Sequence, residues 1–404
     1  MQPVIPVLTH PSPLGAIADQ CTYVIVVGVT ADGRVAFVRS SEPGRAWELP
    51  GGAVEDAESV RVAAAREFRE ETGLRLQSAI EVARIDNLSA DRSRVHSTAY
   101  LVAGQISEET SAGIESSEIE ACALRRAVPE QSTFSRRWVE QLVQAGIQGL
   151  GVALNHAMWD LVASHYDNDV RISENEVHYG PLIEGESSLH LLTQVEGGRV
   201  LDLGCGAGHN LSALRRMGAV GGMGVDFCAA QIERARARLD SRFELLQSDM
   251  SAAPFDRAGP FDVVLSVFSI AFVADLGAVL KAVSRSLRPG GEFVLSTDHP
   301  SRHEHGLSGQ PCVADWFASQ TCARTWDFPE LQPMPYYHHL HSVPAILKAI
   351  ADAELVVEKL LEPLPVLIAE LARSPYYSEY YARRHEKLSR EPYTLIIKAR
   401  KPNA

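Results

Sequence analysis

Three glutamates near residue 70 have the spacing of a metal-binding surface. Glu67, Glu70 and Glu71 stand at i, i+3 and i+4 of a predicted helix, and these offsets place their side chains on one helix face. Like charges at this spacing repel by roughly a few tenths of a kcal/mol per pair. Oxygen ligands of this kind select Mg²⁺ or Mn²⁺. The alternative interpretation is a solvated acidic face that binds nothing.

A second set of residues, further along the chain, is typical of nucleotide binding. The segment RVLDLGCGAG at 199–208 ends an apolar strand in Asp202 and then alternates glycines. Glycine lets the backbone approach a ligand closely and turn sharply into a helix. Asp226 ends the next predicted strand, where a carboxylate can accept both ribose hydroxyls of an adenosine. A nicotinamide-binding Rossmann domain is the alternative for this pattern.

The elements that must position these residues form two successive α/β patterns. The acidic helix is predicted at about 57–72, among short strands that precede and follow it. From residue 199 onward, strands alternate with helices, which requires parallel pairing with right-handed crossovers. Glycines at 146, 149 and 151 predict a short junction. We therefore place two domains at 1–148 and 154–404, with a linker at 149–153.

Composition narrows the class of protein. The 404 residues are 46% hydrophobic and 22% charged, which is typical of globular domains. A formal net charge of −13 disfavours non-specific binding to nucleic acid or to a membrane surface. The six cysteines form no CxxC pair, and neither a signal peptide nor an apolar span is recognisable. We expect a cytoplasmic enzyme with reduced thiols.

The region around the acidic helix resembles the complete Nudix box. The preceding WELPGG is similar to the lead-in of that family, and the resemblance covers about 15–148. It implies an α/β/α sandwich with a small mixed sheet, and hydrolysis of a nucleoside diphosphate linked to another group. The matching positions are Gly52, Glu58, Arg66, Glu67, Phe68, Glu70, Glu71, Gly73 and Leu74.

The Nudix resemblance also implies roles for individual residues. Glu67, Glu70 and Glu71 would bind Mg²⁺ or Mn²⁺, the Gly52 carbonyl would be a further ligand, and Arg66 would orient the glutamates. Glu70, Glu71 and Arg66 are thus the expected catalytic residues. Other candidates are Glu115, Glu118 and Glu120 for a general base and Arg39 and Arg45 for phosphate binding, although the two arginines are equally well surface charges.

Residues 154–404 resemble class I S-adenosylmethionine-dependent methyltransferases. The glycine turn reads DxGxGxG rather than the GxGxxG of dinucleotide-binding folds. Segments 261–268 and 287–291 match the family's fourth strand and the turn before its fifth. The resemblance implies a Rossmann-like, seven-stranded, mostly parallel sheet. It also implies cofactor-binding residues: Asp202, Gly204, Cys205, Gly206, Gly208, Asp226, Phe227, Asp249, Met250 and Ser266, with Tyr166, His178 and Tyr179 in segments that close over the cofactor.

The fourth strand also indicates the kind of methyl acceptor. Ser266-Val267-Phe268 replaces the [DN]PP[YF] motif of amino-group DNA methyltransferases, and the Pro-Cys of cytosine enzymes is absent. What remains resembles small-molecule methyltransferases. His299 is the leading candidate for a base, with His338 and Asp298 as alternatives, and a role in shaping the pocket is equally open for all three.

Together these patterns predict a bifunctional enzyme that hydrolyses a nucleotide pyrophosphate and methylates a small molecule in one pathway. The cofactors would be S-adenosylmethionine and Mg²⁺, without nucleic-acid or membrane partners; an oligomer is compatible with the sequence. One alternative is a non-catalytic, nucleotide-sensing Nudix module that regulates the methyltransferase. Another is RNA-cap processing, which the acidic charge disfavours.

Overall fold

The chain divides into two compact units, Met1–Leu154 (unit 1) and Asn155–Ala404 (unit 2). Among the described residues, no helix combines the length and the apolar composition that crossing a membrane requires. The structure, a computed structural model, describes residues 5–9, 21–30, 33–88, 95–107, 113–300, 320–326 and 334–403.

Unit 1 is built on a mixed sheet in the order β1-β6-β7-β2-β3-β4, in which β5 also pairs with β2 and β8 with β3. Strands β2 and β7 are parallel, and the other pairs are antiparallel. The strands and helices are β1 (Ile5–Thr9), β2 (Cys21–Val29), β3 (Val35–Ser40), β4 (Trp47–Glu48), β5 (Gly51–Gly52), α1 (Val60–Thr72), β6 (Leu76–Leu88), β7 (Val95–Ile106), β8 (Ile119–Arg125) and α2 (Arg136–Asp169), whose residues from Asn155 onward belong to unit 2.

The sheet of unit 1 is covered by a helix on each face, because its strands are apolar on both sides. Val24 and Val26 of β2 pack with Phe68 of α1 in one apolar cluster. Val27 and Val29, which point to the opposite face, belong to a second cluster that includes Val139 and Leu142 of α2. This arrangement confirms the α/β/α sandwich.

Helix α2 runs through the segment predicted as a junction. Residues 146, 149 and 151 are helical, so the glycines do not break the chain there. Packing gives the physical reason for two of them. A Cβ atom at Gly146 would lie 2.7 Å from Cβ of Val27, and one at Gly149 would lie 2.8 Å from Cγ1 of Val82. These glycines let α2 approach the sheet closely, a role that sequence alone does not distinguish from a linker.

Replacing Gly146 by alanine should therefore destabilise unit 1, although alanine is the better helix former. We expect a loss of about 1–3 kcal/mol, the usual cost of overpacking a core. The exposed Gln144→Ala, two residues earlier on the same helix, is the matched control and should be neutral or slightly stabilising. Urea unfolding followed by circular dichroism measures both, and equal stability of the two variants would contradict the packing role.

Unit 2 contains a seven-stranded sheet in the order β12-β11-β10-β13-β14-β19-β17, and two-stranded pairs β15–β16 and β18–β9. Its elements are β9 (Val170–Ile172), α3 (Glu186–Leu189), β10 (Arg199–Leu203), α4 (His209–Arg216), β11 (Gly221–Asp226), α5 (Ala229–Arg238), β12 (Phe243–Gln247), β13 (Phe261–Val267), α6 (Leu276–Ser286), β14 (Leu287–Asp298), β15 (Gln320–Trp326), β16 (Met334–Leu340), α7 (Val343–Asp352), β17 (Val356–Leu361), β18 (Tyr376–Ser378), α8 (Glu379–Ala382), α9 (His385–Leu388) and β19 (Thr394–Arg400).

The pairing pattern of the large sheet determines where a ligand site can form. Strands β10 to β14 are parallel, and β19 enters antiparallel between β14 and β17. Apolar clusters cover both faces of the sheet, as expected for strands joined by helices. The strand order reverses next to β10, and in such sheets ligands bind beyond the carboxyl ends of the strands at this switch point. The seven-stranded, mostly parallel sheet is therefore confirmed.

Candidate active sites

Local sequence fixes the acidic helix of unit 1 against the sheet. The Ser59 side chain accepts a hydrogen bond from the Val62 N–H at the start of α1, and Gly73 ends the helix at a φ of 70°. Phe68 is fully buried, and a Cβ atom on Gly28 would lie 2.3 Å from its ring. The helix is thus held with Glu67 and Glu71 turned toward β5.

Two glycines of β5 form a close-fitting cradle for these carboxylates. The Gly51 N–H donates a hydrogen bond to Oε2 of Glu71 at 2.8 Å. A Cβ atom at Gly52 would lie 2.2 Å from Cδ of Glu67, so only glycine leaves room for that carboxylate. The Tyr23 hydroxyl donates to the Gly51 carbonyl at 2.9 Å. The glycine pair therefore positions both glutamates through backbone contacts.

Arg66 connects the acidic residues of the helix to one another. Its guanidinium donates to both carboxylate oxygens of Glu58, at 3.1 and 2.9 Å, and to Oε1 of Glu67 at 2.8 Å. Oε2 of Glu70 lies 3.5 Å from Nη1. Arg66 thereby lowers the pKa of Glu58. This geometry places Arg66 where it can orient Glu67 and Glu70, as the Nudix resemblance implies.

The negative charge of Glu67 and Glu71 is only partly compensated by the neighbouring groups. Burial raises the pKa of Glu71 to about 7, against the hydrogen bond from Gly51. Burial also raises the pKa of Glu67, opposed by Arg66. The pKa of Tyr23 rises to about 12, chiefly through burial and then through the charge of Glu71. Half-buried carboxylates with raised pKa values are groups that a bound cation would stabilise.

The donor set fits a hard cation, although its carboxylates do not converge on one point in this structure. Within the described ranges, no three Asp, Glu, His or Cys side chains converge as a ready-made metal site. Glu67 is turned to Arg66, and Glu71 is turned to the Gly51 amide. Three carboxylates at i, i+3 and i+4 beside a close backbone strand supply oxygen donors only, which is the preference of Mg²⁺ and Mn²⁺.

The candidate general bases and the arginines that were candidates for phosphate binding differ in the ion pairs that they form. Among Glu115, Glu118 and Glu120, Glu118 is the residue whose negative charge contributes to raising the pKa of Glu71. The other candidates form ion pairs with one another or with neighbouring charges, and among these partners Glu48 is buried. These pairs are Arg69–Glu115 at 3.0 Å, Arg39–Glu120 at 2.5 Å, Arg45–Glu48 at 2.6 Å and Arg45–Glu42 at 3.2 Å.

Unit 2 contains a cavity at the carboxyl ends of strands β10 to β13. The cavity is lined by nine of the predicted cofactor residues: Tyr166, Asp202, Gly204, Cys205, Gly206, Asp226, Phe227, Asp249 and Met250. Further lining residues include His178, which the resemblance also placed near the cofactor, together with Trp159 and Tyr376. The lining also contains side chains that sequence reasoning missed: Ile172, His209, Asn210, Gln231, Ser248, Phe268, Ser269 and Phe272.

Asp226 ties the glycine turn to the second strand. Its Oδ2 accepts a hydrogen bond from the Gly206 N–H and its Oδ1 one from the Cys228 N–H, both at 2.9 Å. Burial raises the pKa of Asp226, and these two hydrogen bonds oppose the rise. Gly204 has a φ of 75°, and a Cβ atom there would lie 2.3 Å from Cβ of Ser269. The turn is thus pressed against its neighbours and open toward the cavity.

Two stacked side-chain rings lie beside this acid. His156 stacks on Phe227 with ring centroids 4.3 Å apart and an interplanar angle of 13°. Nε2 of His156 is 3.6 Å from Oδ2 of Asp249, whose other oxygen accepts a hydrogen bond from the Ser251 N–H. His156 belongs to α2, and nothing in its sequence context marks it as a site residue; only the fold brings it to β11 and β12.

The opposite wall of the cavity is aromatic. Trp159 makes edge contacts with Tyr166 and Phe272, and the Tyr166 and Tyr376 hydroxyls are hydrogen-bonded at 2.7 Å. His178 is buried beside Tyr376, and burial lowers its pKa to about 3. Its imidazole is therefore neutral at physiological pH. This wall is aromatic and uncharged, and its two tyrosine hydroxyls are bonded to each other.

Three predicted cofactor residues lie outside the described lining. Tyr179 is fully buried and its hydroxyl donates to Oε2 of Glu186 at 2.5 Å, so it holds the core rather than covering the cavity. Gly208 begins α4, where a Cβ atom would lie 3.0 Å from Cδ1 of Leu239. Ser266 is fully buried, with its hydroxyl 2.7 Å from that of Ser269, which lines the cavity.

The predicted base His299 also lies outside the described lining. Its Nε2 is 2.8 Å from Oε1 of Glu362, and its backbone N–H donates to the Tyr393 carbonyl. The two alternative candidates are near each other, with Nδ1 of His338 3.7 Å from Oδ2 of Asp298. A catalytic role for His299 stays a prediction, and an imidazole held by a carboxylate is compatible with it.

Asp202 should make the stability of unit 2 depend on pH. Burial, and then the charge of Asp226, raises its pKa to about 7. An unfolded aspartate titrates near pH 3.9, so the folded chain retains a proton that the unfolded chain releases between about pH 4 and 7. Folding stability contributed by this group therefore falls as pH rises across that window and stays low above it.

We expect Asp202→Asn, which cannot ionise, to raise the ligand-free Tm relative to wild type at pH 8 and much less at pH 5. A gain of 1 kcal/mol corresponds to about 2–4 °C in a domain of this size. Calorimetry over this pH range measures the effect, with the exposed Asp352→Asn as control. A gain that does not grow with pH would show that Asp202 is not a buried, proton-binding carboxyl group.

Fold and sites together define a chain with two enzyme domains, one with an acidic helix beside a glycine strand and one with a cavity at the carboxyl ends of its parallel strands. Family models match it in two places, a NUDIX domain at residues 20–142 and a methyltransferase domain at residues 200–291. The chain therefore carries a NUDIX domain followed by a methyltransferase domain, and the two resemblances are confirmed.

Three related proteins match the sequence of this chain over different lengths. An uncharacterized protein of Haemophilus influenzae is 26% identical over 259 residues, 59% of this chain and 97% of that protein. A ubiquinone biosynthesis O-methyltransferase of Rhodopseudomonas palustris is 29% identical over 43% of this chain and 70% of its own length. A demethylmenaquinone methyltransferase of Lactococcus lactis is 36% identical over 25% of this chain and 43% of its own length.

Solved structures resemble each part of the chain. A putative S-adenosylmethionine-dependent methyltransferase from Listeria monocytogenes is 23% identical, with a TM-score of 0.42, over 53% of this chain and 94% of its own. A pyrophosphohydrolase from Bacillus subtilis is 21% identical, with a TM-score of 0.30, over 36% of this chain and 89% of its own. At these identities and TM-scores, neither likeness bears on substrate.

Proposed function

We propose that unit 1 hydrolyses the phosphoanhydride of a nucleoside diphosphate linked to another group, using Mg²⁺ or Mn²⁺. The observation that carries this proposal is the close approach of β5 to the glutamate face of α1, with room for the Glu67 carboxylate only because residue 52 is glycine. When bound, the cation would neutralise charge on phosphoryl oxygens and make a water molecule more acidic.

The chain's own residues would prepare that site. Gly51 holds Glu71 through its N–H, and Arg66 holds Glu67 and lies near Glu70. Glu118, whose charge acts on Glu71, is the loop carboxylate that we favour as general base. Arg39 and Arg45 are already paired with carboxylates, so a role in phosphate binding would require them to leave those partners.

For unit 2 we propose that the cavity binds S-adenosylmethionine. Asp226 would accept hydrogen bonds from the ribose hydroxyls, and Phe227, His156 and Asp249 would form the adenine site. The glycine turn would contact the methionyl part. Methyl transfer is an in-line displacement, to which the enzyme contributes mainly proximity and orientation.

We further propose that the methyl acceptor is a small, apolar molecule without phosphate. The described lining contains carboxylates and aromatic side chains but neither Lys nor Arg, and the low pKa of His178 keeps that residue neutral. Such a wall would leave a phosphate uncompensated. The quinone-pathway names of two relatives agree with an apolar acceptor.

This acceptor chemistry bears on how the two activities are related. Hydrolysis of a nucleoside diphosphate linkage leaves phosphate on both products. Neither product would therefore find a positive charge for its phosphate at the uncharged aromatic wall. We therefore propose that the two domains serve one pathway without passing the hydrolysis product straight to the methyltransferase cavity.

The test is a pair of screens on the full chain. Nucleoside diphosphate sugars, dinucleotides and nucleoside triphosphates are offered with Mg²⁺, and phosphate-bearing products are separated by chromatography. A dihydroxynaphthalene and its monophosphate, which keeps one free hydroxyl, are then offered with S-adenosylmethionine. We expect turnover of at least one nucleotide, and S-adenosylhomocysteine from the unphosphorylated dihydroxynaphthalene only. Nucleotide binding without turnover would favour the regulatory alternative for unit 1, and preference for the phosphate would contradict the apolar acceptor.

A further inference from the structure

The edge strand β17 presents apolar side chains to solvent. Val356, Val357 and Leu360 are 57%, 37% and 42% exposed, and β17 pairs with β19 alone among the described strands. Just beyond the strand, Leu364 and Ile368 are each more than 70% exposed. The outer side of β17 therefore combines backbone groups that no described strand pairs with and exposed apolar area, a combination that promotes pairing with another strand.

We propose that this edge is the interface with a second copy of the chain, with the two β17 strands antiparallel across a two-fold axis. The segment VVEKLL (356–361) is complementary to itself when read in opposite directions. Aliphatic residues oppose aliphatic residues at both ends, and Glu358 of one copy opposes Lys359 of the other. Cross-strand pairs of these kinds stabilise a sheet, and like charges would not.

The register within the sheet supports this pairing. A two-fold axis perpendicular to a sheet keeps each side chain on its own face, so opposed residues must share a face. Val357 and Leu360 are three apart and would ordinarily point to opposite faces. The register shift at Glu358, however, pairs them with Ala399 and Ile397, which lie two apart on β19. Val357 and Leu360 thus share a face and can meet across the axis.

A second copy is the occupant that these features favour. An isologous contact requires a surface that is complementary to itself. The six residues of β17 meet this requirement, because their aliphatic ends oppose each other and the central acidic residue opposes the central basic residue. Glu358 is held at the edge by Arg400, and Lys359 donates to the His190 carbonyl at 3.4 Å. Both charges are therefore positioned on the edge before any partner arrives.

The experiment measures the mass of the full chain by light scattering and sedimentation. Wild type should have twice the chain mass of 44.1 kDa. Val357→Glu alone and Leu360→Lys alone should each weaken dimerisation at least about tenfold, since each opposes a new charge to an aliphatic side chain. The double variant should restore the dimer, because the introduced carboxylate then opposes the introduced ammonium group.

The matched control is Lys348→Glu, an exposed charge change on α7, which should leave the dimer intact. Circular dichroism establishes that each variant is folded. If either single variant fails to fold, Lys359→Glu replaces it and should also give a monomer, because it opposes two carboxylates. A monomeric wild type, or dimeric single variants, would overturn the interface, and a monomeric double variant would overturn the register.

Discussion

Replacing Glu71 by glutamine is expected to reduce pyrophosphate hydrolysis at least about 100-fold, which corresponds to about 2.7 kcal/mol of lost transition-state stabilisation. Glutamine keeps the size of the side chain and an oxygen that can still accept the Gly51 hydrogen bond, but it removes one negative oxygen donor. The loss should therefore come from the metal site and not from unfolding. Methyl transfer should be unchanged.

The control for this prediction is Glu140→Gln, the same chemical change at an exposed position of α2 that pairs with Arg136. It should leave hydrolysis at the wild-type rate. Binding of Mn²⁺, followed by electron paramagnetic resonance, gives a readout besides activity and should weaken in Glu71→Gln alone. Full hydrolysis by that variant would remove Glu71 from the metal-binding set.

Asp226→Ala should weaken S-adenosylmethionine binding by about 1.5–3 kcal/mol, or about 10- to 150-fold in Kd, the range for hydrogen bonds to a charged group. The variant also releases the Gly206 and Cys228 N–H groups that the carboxylate holds, so the glycine turn loses an anchor. Both effects act on the same ligand and should add in the same direction.

Titration calorimetry with S-adenosylmethionine measures this change. Glu233→Ala, an exposed carboxylate on the neighbouring helix α5, is the matched control and should bind as wild type does. An unchanged Kd in Asp226→Ala would place the ribose elsewhere in the cavity and would contradict the role assigned to the end of β11.

Sequence was sufficient where chemistry depends on local spacing. The offsets of Glu67, Glu70 and Glu71 along one helix determine that they share a face, whatever packs around it. The alternation of strands and helices after residue 199 likewise determines a parallel sheet, and with it the edge at which Asp202 and Asp226 lie. These features need no information from distant parts of the chain.

Sequence was insufficient where tertiary contacts decide a role. His156 reaches Phe227 only because α2 continues past the predicted junction, and no motif marks it. Tyr179 follows a lid-like pattern, yet a buried carboxylate, Glu186, captures its hydroxyl. Sequence alone predicts Gly146 to be part of a junction, whereas in the structure it packs closely against the side chain of Val27. For His156 and Gly146 the deciding partner is far away in the sequence, whereas Glu186 is only seven residues from Tyr179 and meets its hydroxyl only in the folded chain.

The central claim is that one chain carries two chemically independent sites. The most direct measurement is a reciprocal assay, in which wild type, Glu71→Gln and Asp226→Ala are each assayed for nucleotide hydrolysis with Mg²⁺ and for methyl transfer from S-adenosylmethionine. We predict that wild type has both activities, that Glu71→Gln loses only hydrolysis, and that Asp226→Ala loses only methyl transfer. A wild type that lacks one or both activities, or a single variant that loses both, would contradict the account.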